Sequence, residues 1–462
     1  MRNFFALASG EALSRVFAFG ATIYLARLLG ADGYGIIAFA LAINLYFIKI
    51  AEFALEWVGT EEIAKTSPDT IPKLTSAILS ARLIITFVLM FVAAIAIWLI
   101  LPDPERFILL LYLLVLVPTA INTKWVYIGM EDSRPVGLSR IAGEALALAI
   151  ILSLVHSKGD LWVAPVAQAS GEICVAFMLI IILWKRSFKL SFYWDLSIVT
   201  PVLKKAFPLV SHMLVGLFIY NSDLIFLRYF HTNESVGLYS VAYVLISFIT
   251  NLGITYGMSL MPAFARLEKG STEERSFYQT ILAQVFTVSI PIAVGGYFLA
   301  ENIINFAFGE GYNGSVLALQ IIIWSVPFTI IRYVPWVALI SRNKQNLLFK
   351  VIFYAAIFNI ILNLLLIPEY GIVGAAIATI FTEIFTSVLM FDFASNNGLP
   401  FACYRRFLKP VSAVLVMAFV LFLGNHINLF FSITLGALTY IFALFALGGI
   451  QYRKGSLPSL KV

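Results

Sequence analysis

Residues Gly10–Asn44 read GEALSRVFAFGATIYLARLLGADGYGIIAFALAIN. A bilayer-spanning helix needs about 20 mostly apolar residues, and this stretch holds two such runs joined by the tight turn Gly30–Gly35. Two charges, Glu11 and Arg15, sit inside the first run. The stretch is a membrane hairpin, and the rest of the chain repeats its character. Of 462 residues, 61% are hydrophobic and 12% charged, whereas a soluble domain averages about 25% charged. Large single cores stop growing near roughly 250–300 residues, so a soluble core could not bury this much apolar sequence. The apolar runs are continuous rather than alternating, which excludes a transmembrane β-barrel. The fold class is an all-α polytopic membrane protein.

Fourteen spans are predicted, at 4–29, 36–57, 77–101, 107–128, 138–156, 161–184, 205–228, 236–261, 278–300, 314–340, 347–367, 371–393, 409–425 and 428–450. The first is too long for a signal-peptide core and precedes a Gly/Asp turn rather than a cleavage site, so it is read as a retained helix. Basic residues mark one side of the chain. One alternate set of connections carries 24 of the 31 Lys and Arg, the other carries Arg27, Arg106, Lys158 and Arg228, and three more fall inside spans. The positive-inside rule places the rich set, and both termini, in the cytoplasm. The net charge of +6 is this topology signal, so no nucleic-acid partner is inferred. Outward loops are short, the longest being about Glu301–Asn313. The longest inward connection, Lys185–Lys204, reads either as an interfacial helix or as a linker with aromatic anchors.

The opening hairpin recurs. ARLLGADGYGIIAFALAI from Ala26 aligns with LRYFHTNESVGLYSVAYVLI from Leu227, bringing Arg27 onto Arg228. Pro118 matches Pro327 and Glu172 matches Glu383, in the same order. Six spans form the repeat. An even number makes the halves parallel, a plan whose substrate sites lie near the midplane. The organisation read from this is an N-lobe at 1–184, a cytoplasmic interfacial linker at 185–204, a C-lobe at 205–393, and two further spans with a cytoplasmic tail at 394–462.

The hairpin GEALSRVFAFGATIYLARLLGADGYG, with SDLIFLRYFHTNESVGLYSVAY and NIILNLLLIPEYGIVGAAIATIFTE (Asn359–Glu383), resembles the Wzx-type polysaccharide and O-antigen unit flippases of the MOP superfamily. The two extra helices resemble the lipid II flippase arrangement, and MATE transporters are relatives. The resemblance implies a V-shaped pair of six-helix lobes and alternating access in the cytoplasmic membrane. It also implies transfer of a lipid-diphosphate-linked oligosaccharide from the cytoplasmic to the outer leaflet, coupled to an ion gradient. Membrane lipids and other membrane proteins of polysaccharide assembly would be its partners, and H⁺ or Na⁺ rather than a cofactor its drive.

A charge at the bilayer centre costs at least ~2.5–3.5 kcal/mol and therefore faces protein or a wet cavity. Glu11 and Arg15 are i,i+4. They form either a local ion pair or a partly satisfied cationic site, and arginine's planar fork suits a diphosphate. Lys49 and Glu52 share a face of the second span, with the same two readings, and Glu56 near its end reads as solvated. Arg332 has no acid within a helical turn, so it needs a distant partner or an anionic ligand, or else it snorkels, as Lys124 is expected to. Arg15, Lys49 and Arg332 are the substrate-binding candidates. Glu144 should pair with Arg140. Glu172 and Glu383 have no base within four positions, and such carboxylates can carry a proton or bind Na⁺. With Glu11, Glu52 and Asp223 they are the ion-coupling candidates, Asp223 reading first as structural. Arg27 and Arg228 are accounted for by helix dipoles. Cys174 and Cys403 are not expected to pair. The four histidines show no metal spacing, and no phosphate-cradling loop is present. A MATE-type cation or drug antiporter is the alternative function, and it fits the intramembrane bases poorly. A membrane polymerase or ligase would need a large outward loop.

Overall fold

The computed structural model describes residues 2–401, 405–424, 428–451 and 459–460. Cys403 and His426, considered above, lie outside them, and Cys174 is a free thiol. The described residues are helical apart from a two-residue antiparallel pairing of Ile450–Gln451 with Ser459–Leu460 and short connections. The chain forms two compact units. Unit 1 is Met1–Arg228 with Thr232–Gly237, and unit 2 is Tyr229–His231 with Leu238–Val462.

Unit 1 contains α1 (Arg2–Glu52), α2 (Leu55–Lys65), α3 (Ile71–Ile100), α4 (Glu105–Tyr112), α5 (Leu116–Ile121), α6 (Lys124–Gly129), α7 (Arg134–Leu154), α8 (Val163–Lys185) and α9 (Leu196–Phe230). A straight helix as long as α1 would measure roughly 77 Å at 1.5 Å per residue, over twice the ~30 Å hydrocarbon core. It breaks at Gly30, where φ is 71°, a left-handed value that glycine adopts without a Cβ clash. The second arm ends at Phe53 and Ala54, both left-handed at φ 47° and 53°, and α2 follows.

Unit 2 contains α10 (Asn233–Ser259, its first turn grouped with unit 1), α11 (Met261–Arg266), α12 (Thr272–Phe298), α13 (Ala300–Ala307), α14 (Val316–Ile322), α15 (Ser325–Ser341), α16 (Gln345–Asn396), α17 (Arg405–Leu423) and α18 (Leu429–Ala446). Eleven helical segments among the described residues are long and apolar enough to cross a membrane, or twelve if the bent pair α14–α15 is one crossing. That is fewer than the fourteen expected. Two of the eleven, Gly10–Lys65 and Gln345–Asn396, each run through a glycine break and hold two membrane-length arms. The second of these breaks is at Gly371, with φ 51°.

The matched prolines sit at matched defects. A proline ring clashes with the carbonyl four residues back. For Pro118 that residue is Leu114, inside the 3-10 turn Leu113–Val115 that separates α4 from α5. For Pro327 it is Ile323, at the joint where α14 and α15 bend by 43°.

Packing in unit 1 centres on Leu55, Val58, Trp125, Tyr127, Leu179 and Leu183. In unit 2 one cluster gathers Tyr278, Val337, Leu339 and Met390, and a second joins α12 to α17 and α18 through Val294, Met417 and Tyr440. The outer face of α3 exposes Phe91 and Leu99, 70% and 76% accessible, as suits a lipid-facing helix. Residues 188–195 of the long inward connection are not helical. They form a strap on α3, with Ser191 N donating to Ser76 Oγ at 3.2 Å and Tyr193 N to Ser80 Oγ at 2.9 Å.

The helix dipole alone does not account for Arg228. The end of α9 abuts the start of α4, where buried Glu105 accepts Arg228 Nε at 2.9 Å, Arg228 Nη2 at 2.5 Å and Asn233 Nδ2 at 2.9 Å. Beside this contact the chains touch backbone to backbone. A Cβ on Gly35 would lie 1.8 Å from Asn233 O, and one on Gly237 would lie 1.9 Å from Ala31 O.

Candidate functional site

Three Gly-Glu dipeptides build the polar interior of unit 1. They are Gly10-Glu11 on α1, Gly143-Glu144 on α7 and Gly171-Glu172 on α8. Each glycine lies at a helix crossing that a side chain would prevent. A Cβ on Gly10 would be 2.7 Å from Gly137 Cα, and one on Gly143 would be 2.7 Å from Gly171 O. Small residues at such crossings let helices approach closely. Close crossing carries the following glutamates to the walls of two adjoining cavities of about 240 and 220 Å³. Arg140 and Glu172 line both, Glu11 the first, and Glu144 the second.

Arg140 is the hub. Its Nη1 meets Glu172 Oε1 at 2.6 Å and its Nη2 meets Glu144 Oε1 at 2.8 Å. The i,i+4 pair with Glu144 is the one the sequence suggested. The stronger contact comes from α8, 32 residues away along the chain. Around the hub the other charges are paired. Arg15 contacts Glu11 at 3.2 Å, with both side chains about half exposed at 44% and 52%. Lys49 contacts Glu52 at 2.7 Å. Lys124 and Glu56, read from the sequence as snorkelling and solvated, gain a partner in each other. They pair at 3.0 Å, because α6 begins after the break at Asn122–Thr123 and presents its first residue to the first turn of α2.

Arg82, which the charge count placed at the edge of a basic connection, is 1% exposed. Its guanidinium donates to Thr119 O at 2.6 Å and Asn122 O at 3.1 Å. These carbonyls end α5, where the regular helical donors four residues on are missing, and Thr119 O also accepts the Asn122 amide at 3.3 Å. Its Nε is buried without a protein acceptor, and the residue lines the first cavity. Sequence reasoning missed Arg82 and the role of Arg140. The break after Pro118, which ends α5 at those carbonyls, was the available signal for the first. The repeated Gly-Glu dipeptides were the signal for the second.

In unit 2, Arg332 is 7% exposed and finds its partner on another helix. Its Nη2 lies 2.7 Å from Glu383 Oε2, and Thr329 Oγ1 donates to the same oxygen at 2.8 Å. Nearby on α16, Asn359 Nδ2 donates to Thr382 Oγ1 at 3.2 Å, and Asn363 Nδ2 to Asn359 Oδ1 at 3.1 Å. Asp223 is buried in α9, in unit 1. Thus Glu11, Glu52 and Glu172 are brought to one cavity wall, Arg15 and Lys49 are paired with Glu11 and Glu52 respectively, and Arg332 with Glu383 forms a separate pair in the other unit. Unit 2 also contains an apolar cavity of about 520 Å³ between α12, α17 and α18, lined by Pro291, Leu299, Met417, Leu421 and Leu444 among others. No group of three or more potential metal ligands occurs among the described residues.

The family model described as polysaccharide biosynthesis protein matches residues 1–268. The chain belongs to that family. The Escherichia coli K12 relative named "Putative O-antigen transporter" is 24% identical over 391 residues, covering 81% of this chain and 92% of the relative. The Haloferax volcanii relative named "Probable flippase AglR" is 27% identical over 246 residues, covering 49% of this chain and 50% of the relative. The solved lipid II flippase MurJ, in an inward closed conformation, matches with a TM-score of 0.80 over 96% of this chain and 98% of its own, at 15% identity. An inward-facing MATE transporter of the MOP superfamily matches with a TM-score of 0.65 at 12% identity, over 83% of this chain and 94% of its own. The resemblance read from the opening hairpin holds for this member of the family.

Proposed function

We propose that this polysaccharide biosynthesis family member moves a lipid-diphosphate-linked oligosaccharide from the cytoplasmic to the outer leaflet by alternating access, coupled to an ion gradient. The observation that carries the reading is the set of cations held inside membrane-length helices. Arg15, Lys49, Arg82, Lys124, Arg140 and Arg332 all lie there, and intramembrane bases are retained where an anion or a functional pair offsets their cost. A carrier of cationic drugs would favour an acidic cavity without these bases.

Arg15 and Lys49 are the substrate contacts under this reading. Each is held by one glutamate yet keeps an accessible head, with 44% and 35% of the side chain exposed. Arginine has donors to spare for a second anion once one carboxylate is bound. Arg332 is offered as a third contact, and an anion reaching it would have to compete with Glu383. The apolar cavity of unit 2 suits the hydrocarbon chain of a lipid-linked substrate, because its walls present almost no polar atoms. The relatives' names support this substrate class: one is assigned to O-antigen transport, and another is named a flippase. The test is leaflet transfer of a fluorescent lipid-diphosphate oligosaccharide in proteoliposomes. Arg15→Ala and Arg332→Ala should each slow transfer at least tenfold while the protein remains folded. Unchanged transfer in both would refute the cationic site.

A further inference from the structure

We propose that unit 1 binds one proton between Glu144 and Glu172, beneath the Arg140 guanidinium, and that this proton is the coupling ion of transport. The second part rests on the transport reading above, and the first does not.

Glu11, Glu52 and Glu56 each have their own base, in Arg15, Lys49 and Lys124. Glu144 and Glu172 share one, at 2.8 and 2.6 Å from the two ends of the Arg140 guanidinium. Five acids and five bases balance across the interior, but not at this point. The fifth base, Arg82, spends its guanidinium on the carbonyls of Thr119 and Asn122. Two like charges on one counter-ion favour protonation of one of them.

The backbone enforces the juxtaposition. Gly143 and Gly171 touch, so the glutamates that follow them start from one close crossing of α7 and α8. The groups that face Arg140 from the surrounding elements are Glu11, Tyr34 and Glu52 on α1, Arg82 on α3, Tyr112 on α4 and Lys124 on α6. They sum to no net charge and supply no second base to the pair.

The site is open to water. Glu172 and Arg140 line both cavities, and together these run from Lys124 and Gly137 to Leu25 and Ala164. Both cavities are roomy enough for several waters. The Arg82 Nε, buried at this wall without a protein acceptor, independently calls for a water there, since buried donors are otherwise satisfied. A proton suits the site better than a metal cation. It bonds to one oxygen and needs no coordination shell, whereas Na⁺ would have to sit against the Arg140 charge. Protonating Glu172 would remove the ionic tie between α7 and α8 and leave Arg140 on Glu144 of its own helix, which gives the proton a mechanical consequence.

The experiment is infrared difference spectroscopy of the full chain in nanodiscs at neutral pH, in potassium and then in sodium buffer, reading the C=O stretch of protonated carboxyl groups. The expected result is such a band in the wild type, unchanged by sodium and lost in at least one of Glu172→Gln and Glu144→Gln, with both variants keeping the wild-type helical circular dichroism. A wild type without the band, a band that survives both substitutions, or a band abolished by sodium at constant pH would overturn the proposal. Leaflet transfer in parallel vesicles separates the two claims. Transfer that ignores a pH gradient while the band is present would refute coupling alone. A band without any transfer would refute the transport reading and leave the proton site standing.

Discussion

The Gly143–Gly171 crossing can be tested without knowing any substrate. In Gly143→Ala the new Cβ would lie 2.5 Å from Val175 Cγ2 and 2.7 Å from Gly171 O. The oxygen is backbone, and valine has little rotamer freedom in a helix, so the helices must move apart. Overpacking of this kind typically costs ~1–3 kcal/mol. The control is Gly20→Ala in α1, where nothing lies within 4 Å of the added methyl. There the substitution should stabilise by ~0.5–1 kcal/mol, because alanine is the better helix former. The two variants should therefore differ by about 1.5–4 kcal/mol in opposite directions. Thermal unfolding of the purified protein in detergent, followed by intrinsic fluorescence, reads the difference. Gly143→Ala should melt below wild type and Gly20→Ala at or above it. A Gly143→Ala protein as stable as Gly20→Ala would refute the close crossing, and with it the reason that Glu144 and Glu172 share a cavity.

Two further outcomes follow from the same geometry. Glu105→Ala removes the acceptor of Arg228 and Asn233, and loss of one partner of a buried pair costs roughly 3–5 kcal/mol. With Arg228 27% exposed, the expected loss is the lower end or below, about 2–3 kcal/mol, read as a lowered denaturation midpoint. No change would mean the contact is incidental. Asp195 sits ahead of α9, where the Ser197 hydroxyl at 2.5 Å, the Tyr193 hydroxyl at 2.8 Å and the Ser197 amide at 2.9 Å hold its carboxyl below the usual carboxylate range. A lowered folded-state value means the strap is stabilised above the ordinary aspartate range and loses that help as pH falls through the folded value. Proteolysis within residues 188–195 should therefore accelerate on acidification in the wild type and show a weaker pH dependence in Asp195→Asn. Equal pH dependence in the two would refute the assignment.

What could be read from the sequence follows chain distance. Apolar runs, the hairpin turn at Gly30 and the matched prolines report local physics, and the helices and their breaks lie where those residues place them. The pairs Glu11–Arg15, Lys49–Glu52 and Arg140–Glu144 are three or four residues apart on one helix face, so spacing alone suggests them. Arg140–Glu172 spans 32 residues and Arg332–Glu383 spans 51. Such pairs depend on which helices cross, and periodicity does not encode crossings. Arg82 escaped notice for a different reason. Counted with Lys65 and Lys73, it matched the topology signal, while its actual partners are carbonyls at the end of another helix. The Gly-Glu dipeptides at 10, 143 and 171 were present in the sequence throughout. Their meaning lies in the pairing of a residue that permits close packing with one that must not face lipid.

Whether this membrane interior handles a lipid-linked anion is read most directly by placing the full chain in vesicles loaded with both a fluorescent lipid-diphosphate oligosaccharide and a cationic dye, imposing a pH gradient, and following leaflet transfer and dye efflux together. Protein-dependent transfer of the lipid with no dye efflux is expected. Dye efflux without lipid transfer would refute a lipid-linked anion as the cargo.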